Sequence, residues 1–144
     1  MKRRVEVGGE FSIDDQLQGK DTALPHQLFF SEFEGVRYTM LGRMALELIL
    51  RDIMSERRVG KVLLPNYLCA SMISPVEKSK LLIDYYSVEV SGKEIKFTQP
   101  NIRSGDVFIG MSYFGYKSAT DNNLLYAMKE LGAITVEDVT HRML

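Results

Sequence analysis

Short apolar runs alternate with segments of helical spacing along this chain. Apolar residues three and four apart predict a helix over 41–58, with Gly60 as a stop signal. The run 61–65, closed by Pro65, predicts a strand. The remaining predictions are a helix over 66–79, strands over 81–86 and 106–114, a helix over 118–132 that ends at Gly132, and a strand over 133–138.

Residues 87–105 give no clear pattern, apart from an alternating KEIKF segment and a turn near 101–105. The predicted strands are nearly continuous apolar runs, which is typical of parallel strands covered on both faces. We therefore predict an α/β fold with three layers, in which helices flank a mainly parallel sheet.

Ligands bind at the carboxyl ends of the strands in such sheets. The segments to inspect are therefore Pro65–Cys69, Ser112–Tyr116 and Glu137–His141. Residues 1–35 are polar and carry several glycines, so we interpret them as an N-terminal arm before a domain that covers 36–144.

The net charge and the cysteine content limit the expected partners and the expected cellular location. The net charge is -1, which indicates neither a nucleic-acid nor a membrane partner. No apolar run approaches the ~20 residues that a membrane helix needs. Cys69 is the single cysteine, so no internal disulfide forms and a cytoplasmic location is expected. We assign no metal site.

The residues Gly8, Gly9, Glu10 and Phe11 spell GGEF, the signature of diguanylate cyclases. Such a motif needs preceding strands that carry carboxylates for a metal, and only seven residues precede it here. We interpret it as a glycine bend followed by an aromatic anchor.

Three segments carry chemistry instead. Asp138 ends the last strand and His141 follows three residues later, both at the crevice. Gly42 and Arg43 begin a helix, where free N–H groups and the dipole favour an anion. Tyr67 to Cys69 follow a strand that ends in proline and are expected to start the next helix.

In this order the segments resemble the DegT/StrS-type sugar aminotransferases, fold-type-I enzymes that use pyridoxal phosphate. The resemblance rests on LGRMAL (41–46), LLPNYLC (63–69), SYFGY (112–116) and VEDVTH (136–141), and it covers 36–144. It implies that Asp138 contacts the pyridine nitrogen of the cofactor and keeps it protonated. His141 is implied to lie near the phenolic oxygen or to orient Asp138.

The resemblance also implies that Gly42 and Arg43 hold the cofactor's phosphate. Cys69 stands where the family often has an aromatic residue that stacks on the ring, and Tyr67 is a substitute for that role. Leu41 replaces the small hydroxyl residue usual before the glycine, which removes one phosphate bond.

The family holds its cofactor covalently on a lysine that follows the Glu-Asp strand, and every lysine here precedes Asp138. We therefore expect a truncated large domain that is inactive alone. The implied substrate is a keto-sugar nucleotide with glutamate as amino donor, and a homodimer or higher oligomer is implied. The alternative is a non-catalytic binding or assembly module of flavodoxin-like or receiver-like fold, although 61–67 lacks the acidic pair that a receiver needs.

Overall fold

The structure, a computed structural model, describes residues 6–7, 36–92, 94–114 and 119–140. Its elements in chain order are β1 (Glu6–Val7), α1 (Gly42–Glu56), β2 (Lys61–Pro65), a 3₁₀ turn (Ala70–Met72), α2 (Ile73–Lys78), β3 (Leu82–Tyr86), β4 (Val88–Ser91), β5 (Glu94–Phe97), β6 (Val107–Met111), α3 (Ala119–Glu130) and β7 (Ile134–Asp138). Within these ranges no helix combines the length and apolarity that a membrane span requires.

Five strands form one sheet in the order β1-β7-β6-β2-β3, and each neighbouring pair is parallel. β4 and β5 pair antiparallel as a separate hairpin. α2 lies between β2 and β3, and α3 lies between β6 and β7, whereas the hairpin lies between β3 and β6. The predicted α/β class with a parallel sheet is therefore confirmed, and the hairpin accounts for the segment without a clear pattern.

Each face of the sheet carries its own apolar core. Alternate residues along β2 and β6 point to opposite faces, so each strand contributes to both cores. On one face, α1 and α2 cover the strands; the buried residues there are Leu46, Ile49, Leu50, Val62, Leu64, Met72, Val76, Val107, Ile109 and Val136. On the other face, α3 and the hairpin cover them; the buried residues are Leu63, Tyr86, Val88, Ile95, Ile102, Phe108, Tyr113, Met128 and Ala133.

The edge strand β3 departs from the expectation of coverage on both faces. Leu82 is 73% exposed and Asp84 and Tyr85 are exposed as well, so that expectation is wrong for β3. The reason is its position, because β3 is an edge strand with a neighbour in the sheet on one side only. Its run of apolar residues is nevertheless typical of a central strand.

The predicted helix over 66–79 is also wrong at its start. Residues 66–69 are irregular, and helical structure begins with the 3₁₀ turn. The Asn66 N–H donates to the Tyr86 carbonyl at 2.9 Å, and the Asn66 side-chain oxygen accepts the Val88 N–H at 2.8 Å. The bond from the Asn66 N–H continues the β2–β3 pairing by one residue, and the bond to its side chain holds the loop against the β3–β4 junction, so the chain leaves β2 extended rather than helical.

Two glycines were predicted to end helices, and one of them does. Gly132 has φ +83° and donates to the Lys129 carbonyl, which confirms it as the terminator of α3. Gly60 is not a terminator, because α1 already ends at Glu56. A Cβ at Gly60 would collide with an oxygen of Asp106, so this glycine is needed for close approach instead.

Of the predicted arm, the structure describes Glu6 and Val7, which pair with Glu137 and Asp138 of β7. Two residues are too few for a periodic signal, so the sequence pattern did not predict β1. The GGEF segment and the rest of the arm lie outside the described residues.

Asp106 is the polar anchor at the amino ends of β2 and β6. It is 4% exposed, and its two carboxylate oxygens accept hydrogen bonds from the N–H groups of Lys61 at 3.1 Å and Arg103 at 2.9 Å.

We predict that Asp106→Ala lowers the free energy of unfolding by about 1–3 kcal/mol, because it leaves these donors without an acceptor. Urea denaturation measures the change. Glu89→Ala removes an exposed carboxylate of β4 and serves as the control; equal losses in the two variants would contradict the anchor role.

Candidate functional site

The topology places the start of α1 beside the carboxyl ends of the strands. α1 runs directly into β2 through 57–60, so it lies antiparallel to β2 and its first residues reach the edge where β2 ends. α1 also packs against the 3₁₀ turn that follows β2. From β2 the chain goes to β3 on one side and later to β6 on the other, so the order reverses between β2 and β6. Such a reversal is where open α/β sheets form their ligand crevice.

The N-terminus of α1 is open to an anion. Leu41 is the extended residue before the helix, and no described side chain caps the helix there. The Thr39 hydroxyl, which is close enough to serve as a cap, donates to the Leu41 carbonyl at 3.0 Å instead. The first turn contains no acidic residue, and Arg43 is exposed within it. Free N–H groups, the helix dipole and a guanidinium thus all favour negative charge at this point.

Asp138 lies on the same face of the sheet as α1. Val136 packs in the core beneath α1, and Asp138, two residues further along β7, points to the same side. Asp138 is 7% exposed. One carboxylate oxygen accepts the Thr140 N–H at 2.9 Å, and the described part of the chain offers no partner for the other oxygen. A buried carboxylate with one free oxygen requires a donor, since an unpaired buried charge is costly.

Glu137 faces the opposite side of the sheet. It lines a small depression under α3, together with Gly110, Leu124 and Leu125. The adjacent acids of the sequence motif are therefore separated by the sheet itself. Only Asp138 shares a face with the start of α1.

The loop after β2 carries the two predicted ring contacts, Tyr67 and Cys69. Both residues are exposed. The pKa of the Cys69 thiol is lowered by a hydrogen bond from the Ser71 hydroxyl, which has the larger effect, and by one from the Ser71 backbone. Because this loop is irregular, Tyr67 and Cys69 do not start a helix as expected.

An aromatic cluster stands at the ends of β2 and β6. The ring centroids of Tyr67 and Tyr113 are 5.6 Å apart, and that of Phe114 lies 6.3 Å from Tyr67 and 6.0 Å from Tyr113. Phe114 lies within the segment 112–116 that the strand pattern marks for inspection, but no role is predicted for it. Its place in the loop after β6 is the signal that could have found it.

The structure thus brings most of the predicted residues to one edge without joining them. Gly42 and Arg43 start α1, Tyr67 and Cys69 follow β2, and Asp138 ends β7. Among the described residues, no hydrogen bond or ring contact links Tyr67 with Asp138. His141 lies outside the described residues. In the ranges that the structure describes, no group of acidic, histidine and cysteine side chains could hold a metal ion.

No protein-family model, curated protein or solved structure matches the chain.

Cys69 offers a direct chemical test of this edge, since it is the single thiol of the chain. We predict that Ser71→Ala raises the pKa of Cys69, because the side-chain donor that stabilises the thiolate is lost. The pH profile of alkylation by iodoacetamide should move to higher pH, with slower labelling near neutral pH. Ser79→Ala, at the end of α2, is the matched control. An unchanged profile in the Ser71 variant would show that Ser71 does not act on the thiol.

Proposed function

We propose that this chain has the large-domain fold and cofactor site of a pyridoxal-phosphate-dependent aminotransferase of the DegT/StrS type. The observation that carries the proposal is that Asp138 and the N-terminus of α1 lie on the same face of the sheet, at the carboxyl ends of the strands. A buried carboxylate with a free oxygen and an uncapped helix start suit the two ends of a phosphorylated pyridine ring.

The residues present fit this cofactor. The N–H groups of Gly42 and Arg43, with the Arg43 guanidinium, would hold the phosphate. Asp138 would accept a hydrogen bond from the protonated ring nitrogen with its second carboxylate oxygen, and Cys69 or Tyr67 would lie against the ring. When bound, the cofactor withdraws electrons from the α-carbon of an amino acid. The chain's own part in that chemistry is to keep the nitrogen protonated through Asp138, with His141 as the proposed neighbour.

The proposed substrates are a keto-sugar nucleotide and an amino donor such as glutamate, in the biosynthesis of amino sugars or polysaccharides. We further propose a cytoplasmic protein that works as a homodimer or higher oligomer and binds neither nucleic acid nor membrane. All nine lysines of this sequence precede Asp138. We therefore expect the 144-residue chain to bind the cofactor without transaminating by itself.

Asp138→Asn tests the proposal. Asparagine keeps an acceptor for the Thr140 N–H but removes the charge that retains a protonated ring nitrogen. Charge-assisted hydrogen bonds of this kind lead us to expect an affinity for pyridoxal 5′-phosphate roughly tenfold or more below that of the wild type. Equilibrium dialysis measures the affinity.

Asp84→Asn is the matched control, since Asp84 is an exposed carboxylate of β3 that pairs with Lys61 at 2.7 Å. Its affinity for the cofactor should equal that of the wild type. If the wild-type chain fails to bind the cofactor, or if both variants lose affinity equally, the aminotransferase proposal is wrong and a non-catalytic module is favoured.

A further inference from the structure

We propose that Phe114 and Tyr67 form a stacking platform for the base of a nucleotide at the rim of the crevice. The inference rests on the proposed function for its choice of ligand, a sugar nucleotide. It assigns Tyr67 to the base of that nucleotide, which leaves Cys69 as the residue that lies against the ring of the cofactor. Phe114 has no role in the cofactor proposal.

The platform is built on a rigid base. The Tyr113 hydroxyl donates to the Tyr67 carbonyl at 2.6 Å, which ties the loop after β2 to the end of β6. Tyr113 itself is 2% exposed, and its ring stacks on Phe97 of the hairpin, with centroids 6.4 Å apart. Asn66 fixes the same loop to the β3–β4 junction. The loop backbone at Tyr67 is therefore held from two sides before any ligand arrives, which lowers the entropy lost on binding.

Phe114 is held outward by an unfavourable backbone. Its φ is 55°, in the left-handed region that bulky residues rarely adopt. Its side chain is 56% exposed and that of Tyr67 is 53% exposed, although both rings touch the buried ring of Tyr113. Backbone strain that exposes an apolar ring gains nothing for folding, whereas strain of this kind is often kept at ligand sites. Two exposed aromatic faces at a crevice are suited to a planar ring, because bases stack on aromatic side chains.

The platform lies on the face of the sheet that the hairpin covers. Tyr113 belongs to the core on the hairpin side, whereas Asp138 lies on the α1 side. The platform and the cofactor's ring contacts are thus on different sides of the crevice, as two ligands that react with each other require.

The experiment compares Phe114→Asn with Phe114→Tyr in the full chain. Asparagine tolerates the left-handed backbone, so the variant should fold and melt close to the wild type, but it lacks a ring. Tyrosine keeps the ring. Titration calorimetry with uridine 5′-monophosphate should show a loss of affinity of roughly five- to 150-fold for Phe114→Asn, and near wild-type affinity for Phe114→Tyr. Tyr126→Asn is the control: it replaces an exposed aromatic ring of α3, 68% exposed, with asparagine, and it should bind the nucleotide like the wild type.

Two further ligands separate the possible outcomes. Ribose 5-phosphate carries the phosphate without a base, and its affinity should not depend on Phe114. Pyridoxal 5′-phosphate should bind Phe114→Asn as well as it binds the wild type. The platform is refuted if the wild type does not bind uridine 5′-monophosphate, if Phe114→Asn binds it normally, or if only the cofactor loses affinity. A chain that binds the nucleotide through Phe114 but not the cofactor would support the platform and refute the aminotransferase proposal.

Discussion

The parallel pairing of β2 with β6 is the constraint from which the rest of the structure follows. Val62 pairs with Val107 and Leu63 with Phe108, and all four side chains are essentially inaccessible to solvent. Strands that are apolar on both faces need a layer on each side. α1 and α2 supply one layer, and α3 with the hairpin supplies the other. Because parallel strands end at one edge, the same constraint gathers the loops after β2, β6 and β7 into a single crevice.

Side chains alternate between the two faces along each strand, so the two faces carry different chemical groups at this edge of the sheet. Asp138 and the start of α1 share one face, which suits an anionic ligand with a protonated ring. Tyr113 belongs to the other face and supports Tyr67 and Phe114 at the rim. Glu137, although adjacent to Asp138 in sequence, is turned toward α3. A single residue of offset along β7 therefore decides which carboxylate is available to the crevice.

Much of the fold could be predicted because its signals are local. Continuous apolar runs identified the central strands, and the glycine after α3 identified the end of that helix. The failures share a different cause, since each depends on a contact distant in sequence. Asn66 bonds to the β3–β4 junction, Gly60 makes room for Asp106, and β3 is exposed through its place at the edge of the sheet. A pattern read along the chain contains none of these contacts.

The candidate site divides in the same way. Gly42 and Asp138 were predictable, because a helix start and a strand end are local features whose meeting follows from parallel topology. The pairing of Asp138 rather than Glu137 with α1 needed the register of β7. Phe114 needed its backbone angle, for which the sequence offers no signature beyond its place after a strand. Position along the crevice was thus foreseeable, whereas the direction of each side chain was not.

We propose that pyridoxal phosphate binds on the α1 side of the sheet, between the start of α1 and the end of β7. The most direct test is a titration of the ¹⁵N-labelled chain with pyridoxal 5′-phosphate, followed by the chemical shifts of its backbone amides. If the cofactor binds there, we expect saturable chemical-shift changes that are largest at Gly42, Arg43 and Asp138. Shifts confined to the depression under α3, at Gly110 and Leu125, or shifts that never saturate, would contradict it.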